Sequence, residues 1–271
     1  MRIGLISSRP DHPLLSGTAA LLRPYHQVEA VDPEAAAGCV PLADVYLLKA
    51  RTPRALALAR SLEQRGAVVV NSAAATELCQ DRTRMAELAH RAGLPFARTR
   101  TVSALRQLAT ERLDHPVVVK SRHSRRGDLV ARVETPEHLC TLNATWAAEP
   151  VVVQPFTAND GWDHKIWVIS GQLFAGLRRS ELADAEHSPT VPLAPGELPD
   201  EWRDLARQVG AVFHLEVYGL DILDVGGGVP LIVDVNAFPG MRGQVEAPRA
   251  LAELAVREGA AAVPAMEPAG E

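Results

Sequence analysis

Residues 233–240 read VDVNAFPG and close an apolar run that opens at Pro230. PLIVDVN has the composition of a half-buried strand, and Pro-Gly stops it. Strand side chains alternate between faces, so Asp234 and Asn236 share one face. Upstream, GLDIL puts Asp221 in a strand that the Gly226-Gly227-Gly228 turn folds back onto this one. Asp221 can then face the pair across the hairpin. Two carboxylates and an amide oxygen suit a hard cation such as Mg2+. The plain alternative is an Asx turn closing an ordinary edge strand, and this stretch alone does not separate the two.

Other stretches add weight. VVVK (117–120) ends an apolar strand on Lys120, and a lysine leaving a buried strand usually has an anion to meet. The loop that follows, SRHSRRGD, carries Arg122, His123, Arg125 and Arg126 and could cover phosphates; a solvated turn is the alternative. VVVQPF (151–156) ends a second apolar strand, where backbone groups could bind an adenine edge and Phe156 could supply an apolar face. Lys165 and Arg178 lie on the two arms of one hairpin and could clamp an anion together. Lys49, ending VYLLK, has the same two readings, anion contact or surface charge.

Composition narrows the field. The chain has 271 residues, 47% of them hydrophobic, enough for one elaborate domain or two to three smaller ones. A net charge of -5 argues against a broad nucleic-acid-binding surface. Cys39, Cys79 and Cys140 are widely spaced without CxxC, which argues against a disulfide framework or zinc site and for buried thiols in a reducing cytosol. MRIGLISSRP has no apolar signal region and no run reaches membrane-spanning length, so the expectation is a soluble, cytoplasmic protein without a membrane partner. The motifs of a dinucleotide fold, a P-loop, a nucleophile elbow and a HExxH metalloprotease are all missing.

Pattern then orders the chain. RIGLIS, DVYLLKA and AVVVNS read as buried strands, with helices over SGTAALLRPY (Ser16 as N-cap) and TPRALALARSLEQRG between them. This predicts a small parallel sheet. TELCQDRTRMAELAHRAGLP reads as one helix. HPVVVKSRHSRRGDLVARVET reads as an antiparallel strand pair, and TPEHLCTLNATWAAE as a helix capped by Thr135. Hairpins turn at Ser170-Gly171 and at Gly226-Gly227-Gly228, with helix EWRDLARQVGAVFHL between them. Residues 181–199 read as a surface loop, and the tail as frayed.

Taken in this order, the stretches from about Asn71 to Gly243 resemble the ATP-grasp superfamily. NSAAATELCQDRTRMAELAHRAGLP is similar to its entry helix, with Asp-Arg where Asp-Lys is usual. HPVVVKSRHSRRGD is similar to its lysine strand and phosphate loop, VVVQPF to its adenine hinge, and GLDIL with DVNAFPG to its metal-ligand strands. The resemblance implies an α/β and α+β chain with the ATP-grasp fold. Residues 1–75 would form a small N-terminal α/β (pre-ATP-grasp) domain, 76–150 and 151–265 the two ATP-grasp subdomains, and 266–271 a tail. It implies ATP and Mg2+ (or Mn2+) as cofactors. Lys120, with Ser121 and Arg126, would contact phosphates, and Arg82 would replace the first lysine. Gln154, Pro155 and Phe156 would line the adenine hinge, and Lys165 would also face ATP. Asp221, Asp234 and Asn236 would hold the metal. Arg178, with Lys165, would stabilise the transferring phosphoryl group. Lys49, His123, Arg178, Gly240 and Arg242 would meet the acceptor.

The superfamily divides by acceptor. The ribosomal-protein-S6 glutamate ligase type phosphorylates a carboxylate, which an amine then attacks. The inositol trisphosphate 5/6-kinase type phosphorylates a hydroxyl. DVNAFPG, HKIWV and KSRH resemble the kinase branch, and Arg122, His123, Arg125, Arg126, Arg178 and Arg179 would suit a polyanion such as a polyol phosphate. The carboxylate–amine ligase, acting on a small-molecule or peptide carboxylate, is the leading expectation. A nucleotide-binding module without turnover is the third. Apolar surface on the N-terminal unit leaves a homodimer open.

Overall fold

The computed structural model describes residues 1–35, 40–111, 113, 116–180, 182 and 190–262. Cys39, most of 181–189 and the tail lie outside these residues. Among the described residues there are three sheets.

The first is parallel. Strands β1 (Arg2–Ile6), β2 (Gln27–Val31), β3 (Val45–Leu48) and β4 (Val68–Val70) run in the order β2-β1-β3-β4. Sequence reading missed β2, an edge strand whose half-exposed QVEAV lacks a clean apolar face. Helix α1 (Pro13–Leu22) starts before the expected Ser16 because Pro13 presets its first turn and His12 caps it, Nδ1 accepting the Leu14 N–H at 3.2 Å. Helix α2 (Pro53–Gln64) is capped by Thr52 as expected.

The expected single entry helix is two, α3 (Ala73–Leu78) and α4 (Arg82–Arg91). Asp81 breaks it by accepting the Thr83 and Arg84 N–H groups, which makes it the N-cap of α4. The middle sheet is antiparallel: β5 (Arg100–Val102), β6 (Val117–Ser121), β7 (Val130–Val133) and β8 (Val151–Pro155), in the order β5-β8-β6-β7. Helix α5 (Pro136–Trp146) lies against it. The division placed between 150 and 151 therefore cuts off a strand, β8, that is bonded on both sides inside this sheet. A valine run does not reveal its partners.

The third sheet has five strands: β9 (Trp162–Ile169), β10 (Gln172–Arg179), β11 (Val191–Leu193), β12 (Val217–Asp224) and β13 (Pro230–Ala237), in the order β11-β10-β9-β12-β13. The β9–β10 hairpin turns on Ser170 and Gly171, both at positive φ, as read from the sequence. β11 falls in the stretch expected to be loop, where it extends the edge beyond β10. Helix α6 (Asp200–Phe213) buries Trp202, Leu205, Val209 and Phe213 against this sheet. Helix α7 (Ala247–Ala262), not foreseen, packs on α1 and β3 of the first unit, although it follows the third sheet in sequence. Its Leu251 and Leu254 join a core with Ile3, Leu15, Trp167 and Phe174 that welds the first unit to the third sheet.

Asn71 is the polar part of that weld. Its buried amide donates to the Val217 carbonyl at 2.7 Å, and its oxygen accepts the Glu216 and Val217 N–H groups at 2.8 and 3.0 Å. Asn71→Ala orphans three main-chain groups, so it should lower stability by about 2–4 kcal/mol. Denaturant unfolding is the check, with the midpoint falling while the slope is kept.

Candidate nucleotide and acceptor site

A cavity of about 1070 Å3 opens where the three units meet. Its floor is one row across three strands: Lys165 on β9 pairs in register with Asp221 on β12, and Asp221 with Asp234 on β13. The Lys165 Nζ lies 2.6 Å from the Asp221 carboxylate. Asn236, two residues after Asp234, lines the same cavity. The sequence-derived trio is thus assembled as the hairpin geometry required.

Arg82, first residue of α4, is buried. Its guanidinium donates to Asp128 at 2.6 Å, to the Ser121 carbonyl at 2.8 Å and to Asp234 at 3.3 Å. It joins the loop after β6 to the carboxylate strand. Lys120, also buried, donates from Nζ to the Val233 carbonyl at 2.9 Å. Burial pushes its pKa down, and Asp234 works against that shift.

The loop itself is arranged differently from the expectation. Arg122 forks onto Asp81 at 2.7 to 3.2 Å, and Arg125 meets Glu149 at 2.6 Å. Burial favours protonation of Asp81, but the Arg122 and helix N–H bonds win and hold its pKa below the ordinary value. The Ser121 hydroxyl accepts the Leu129 N–H and closes the loop. Ser121, His123 and Arg126 do not line the cavity, whereas Ser124, Arg125 and Asp128 do. Acids from elsewhere in the chain, invisible in the local motif, hold Arg122 and Arg125.

At one end, Gln154, Pro155 and Phe156 line the wall. The Gln154 amide donates to Thr99, and the Arg132 guanidinium lies 4.1 Å from the Phe156 ring. Arg178 and Arg179 line a neighbouring side, Arg178 facing Asp163 in register. Asp163 was missed, although period two from Lys165 gives it the same face. Burial raises its pKa, and Asp221 adds to the rise while Lys165 opposes it.

Lys49, Arg51, His12, Gly240 and Arg242 also line the cavity. Lys49 donates to the Phe238 carbonyl at 2.8 Å. Burial, then Arg51 and Arg9, push its pKa down to about 8. Burial, then Lys49, Arg9 and Arg242, lower that of His12. Arg51 and His12 were not singled out from sequence; Arg51 follows Lys49 by two residues at a strand end, which was the available signal.

Two carboxylates and an amide form an all-oxygen donor set. No group of three or more His, Cys, Asp or Glu suited to a metal exists among the described residues. The set fits Mg2+ or Mn2+ and not a thiolate- or imidazole-seeking metal.

A cleft gripped between two antiparallel sheets, with a parallel unit closing one end, defines the ATP-grasp fold, and solved structures of that class overlay this chain. The RimK domain ATP-grasp protein of Sphaerobacter thermophilus matches with a TM-score of 0.69 at 22% identity, covering 94% of this chain and 100% of that one. The D-alanine–D-alanine ligase of Bacillus anthracis in complex with ATP gives 0.70 at 17%, covering 96% and 98%. Within that class, the chain belongs to the RimK-like ATP-grasp domain family, whose model matches residues 80–249. The probable alpha-L-glutamate ligase of Thioalkalivibrio sulfidiphilus is 28% identical over 201 residues, 69% of this chain and 65% of that protein. The coenzyme gamma-F420-2:alpha-L-glutamate ligase of Methanococcus maripaludis is 24% identical over 193 residues, 68% of this chain and 67% of that one. The chain spans just under two thirds of the length of the first bacterial relatives it matches.

The lowered Lys49 pKa has a measurable consequence. Between about 8 and the ordinary 10.5 the unfolded chain holds a proton that the folded one has lost, so stability rises with pH across that window. Lys49→Met removes the linkage. Its unfolding free energy relative to the parent should be most favourable near pH 7 and fall by about 3 kcal/mol by pH 10.5, read from paired denaturation curves.

Proposed function

We propose that the protein is an ATP-dependent carboxylate–amine ligase working through an acyl phosphate. The observation that carries this is the convergence of Lys120, Lys165, Asp221, Asp234 and Asn236 on one cavity with the strand end Gln154–Phe156. ATP would lie with its adenine against Gln154, Pro155 and Phe156 and its phosphates toward Lys120. Asp221, Asp234 and Asn236 would hold Mg2+, which supplies positive charge at the phosphates. Lys165 and Arg178 would face the phosphoryl group in transfer. Arg82 supports the reading as a strut between loop and carboxylate strand more than as a phosphate ligand.

In the first step a carboxylate oxygen bonds to the γ-phosphorus and the bond to the β,γ-bridging oxygen breaks, releasing ADP. In the second an amine bonds to the acyl carbon, inorganic phosphate leaves with its oxygen, and the nitrogen loses a proton. Positioning and fixed charge do most of the work in such transfers. Glutamate appears in the names of the relatives above, which supports an amino acid or peptide as one substrate. The cytoplasm is the compartment we assign, and no helix among the described residues is long and apolar enough to cross a membrane.

Purified protein with Mg-ATP, a carboxylate panel and hydroxylamine should yield hydroxamate with matching ADP. ADP with a phosphorylated polyol and no hydroxamate would instead establish the hydroxyl kinase. Asp234→Ala should cut turnover by about 100-fold or more; unchanged turnover would remove Asp234 from the metal set. Lys120→Met should weaken ATP binding by about tenfold or more in calorimetry.

A further inference from the structure

Three consecutive residues at the junction of α3 and α4 hold the loop after β6. In one continuous helix the Gln80 carbonyl and the Arg82 N–H would be spent on intrahelical bonds. The Asp81 cap breaks the helix and frees both groups for the loop. The Gln80 carbonyl accepts the Ser124 N–H at 2.8 Å, and the Arg82 N–H donates to the Arg122 carbonyl at 2.9 Å. Asp81 forms an antiparallel bridge with His123 and takes the Arg122 guanidinium on its carboxylate. The Arg82 guanidinium adds the Ser121 carbonyl and Asp128, near the two ends of the loop.

The same tripeptide reaches two other walls of the cleft. Arg82 extends to Asp234 on the carboxylate strand at 3.3 Å. The Gln80 side-chain amide donates to the Arg51 carbonyl at 2.9 Å. Arg51 belongs to the segment after β3; Lys49 and Arg51 line the cavity, as do Ser124 and Asp128 of the loop. The junction is braced from behind, since α3 packs on α2 and Glu77 pairs with Arg60 at 2.6 Å. Loop, carboxylate strand and first unit thus meet on residues 80–82, of which Asp81 and Arg82 are buried. One rigid, forked cation spans two carboxylates and a carbonyl here, a task that a compact ammonium does not match.

We propose that Gln80 and Arg82 are positioning residues for the reaction, a role that rests on the ligase reading above. Arg82 registers the loop on the strand that carries Asp234. Gln80 registers it on the segment that carries Lys49 and Arg51. Displacing the loop then displaces that segment as well, so the wall over the phosphates and the wall beside Lys49 are set together. Arg82 acts on ATP through the loop and not by touching its phosphates, because its fork is already committed. Contacts linked in this way show as non-additive effects of substitution.

The test is backbone amide exchange, read by mass spectrometry on the full chain without nucleotide. Asp128→Asn keeps the size of the side chain and removes the charge that fills the Arg82 fork. It should speed exchange across 122–128 by about tenfold or more, while β6 and β8 keep the parent's rates. Exchange across 49–52 should rise too, by about threefold or more, and this second rise should vanish in a Gln80→Met background. Asp128→Glu, which keeps the carboxylate, should restore the parent's rates in both segments. Parent rates at 122–128 in Asp128→Asn overturn the role of Arg82. A missing rise at 49–52, or one that persists in the Gln80→Met background, overturns that of Gln80. Calorimetry with a non-hydrolysable ATP analogue and Mg2+ separates positioning from phosphate contact. Asp128→Asn should bind the analogue about tenfold weaker; equal or tighter binding would mean an Arg82 freed to hold phosphate, and would overturn the proposal. An analogue that does not bind the parent counts against the ligase reading, and the nucleotide-free exchange rates still decide how the loop is seated.

Discussion

Asp221 and Asp234 sit opposite each other on neighbouring strands, with Lys165 in the same row on the next strand over. Like charges placed directly across a strand pair repel. The fold answers with Lys165 on one side and Arg82 on the other, at 2.6 and 3.3 Å. Both cations are buried, so their pairing is stronger than that of a surface ion pair, and losing one partner would strand a charge. Arg82 is also committed to Asp128 and to the Ser121 carbonyl. The same contact that tolerates two facing carboxylates therefore fixes where the loop after β6 lies.

From that arrangement the cavity takes its polarity. Its middle carries acid balanced by base. The Gln154–Phe156 end is largely backbone and ring. The lining contributed by Lys49, Arg51 and Arg242 is basic.

Much of this was readable in residues 233–240 and in the strands ending at Lys120 and Phe156, because strand periodicity alone puts Asp234 and Asn236 on one face. Hairpin turns with glycine at fixed places gave Asp221 its partner. What escaped reading was whatever depends on contacts between distant segments. The membership of β8 in the middle sheet and the capture of Arg122 by Asp81 and Arg125 by Glu149 depend on such contacts, whereas the break at Asp81 is a local N-cap that the sequence did carry. Local pattern carries no information on which acid a given arginine will find. Helix α7 was passed over although exposed Arg249, Glu253 and Arg257 recur every fourth residue opposite buried Leu251 and Leu254, a helical pattern that the sequence did carry.

Asn71 grips the third unit by main-chain atoms alone, one carbonyl and two N–H groups at residues 216 and 217. Such a joint follows the path of the backbone and is indifferent to the side chains carried there. Glu216, which is exposed, can drift in sequence while the first unit stays docked in the same orientation, whereas Val217 is itself part of the buried core at this joint. The docking of the first unit is thereby insulated from substitution at the exposed position of that seam. Backbone architecture thus holds the units that wall the cleft, and the side chains that line it set its charge.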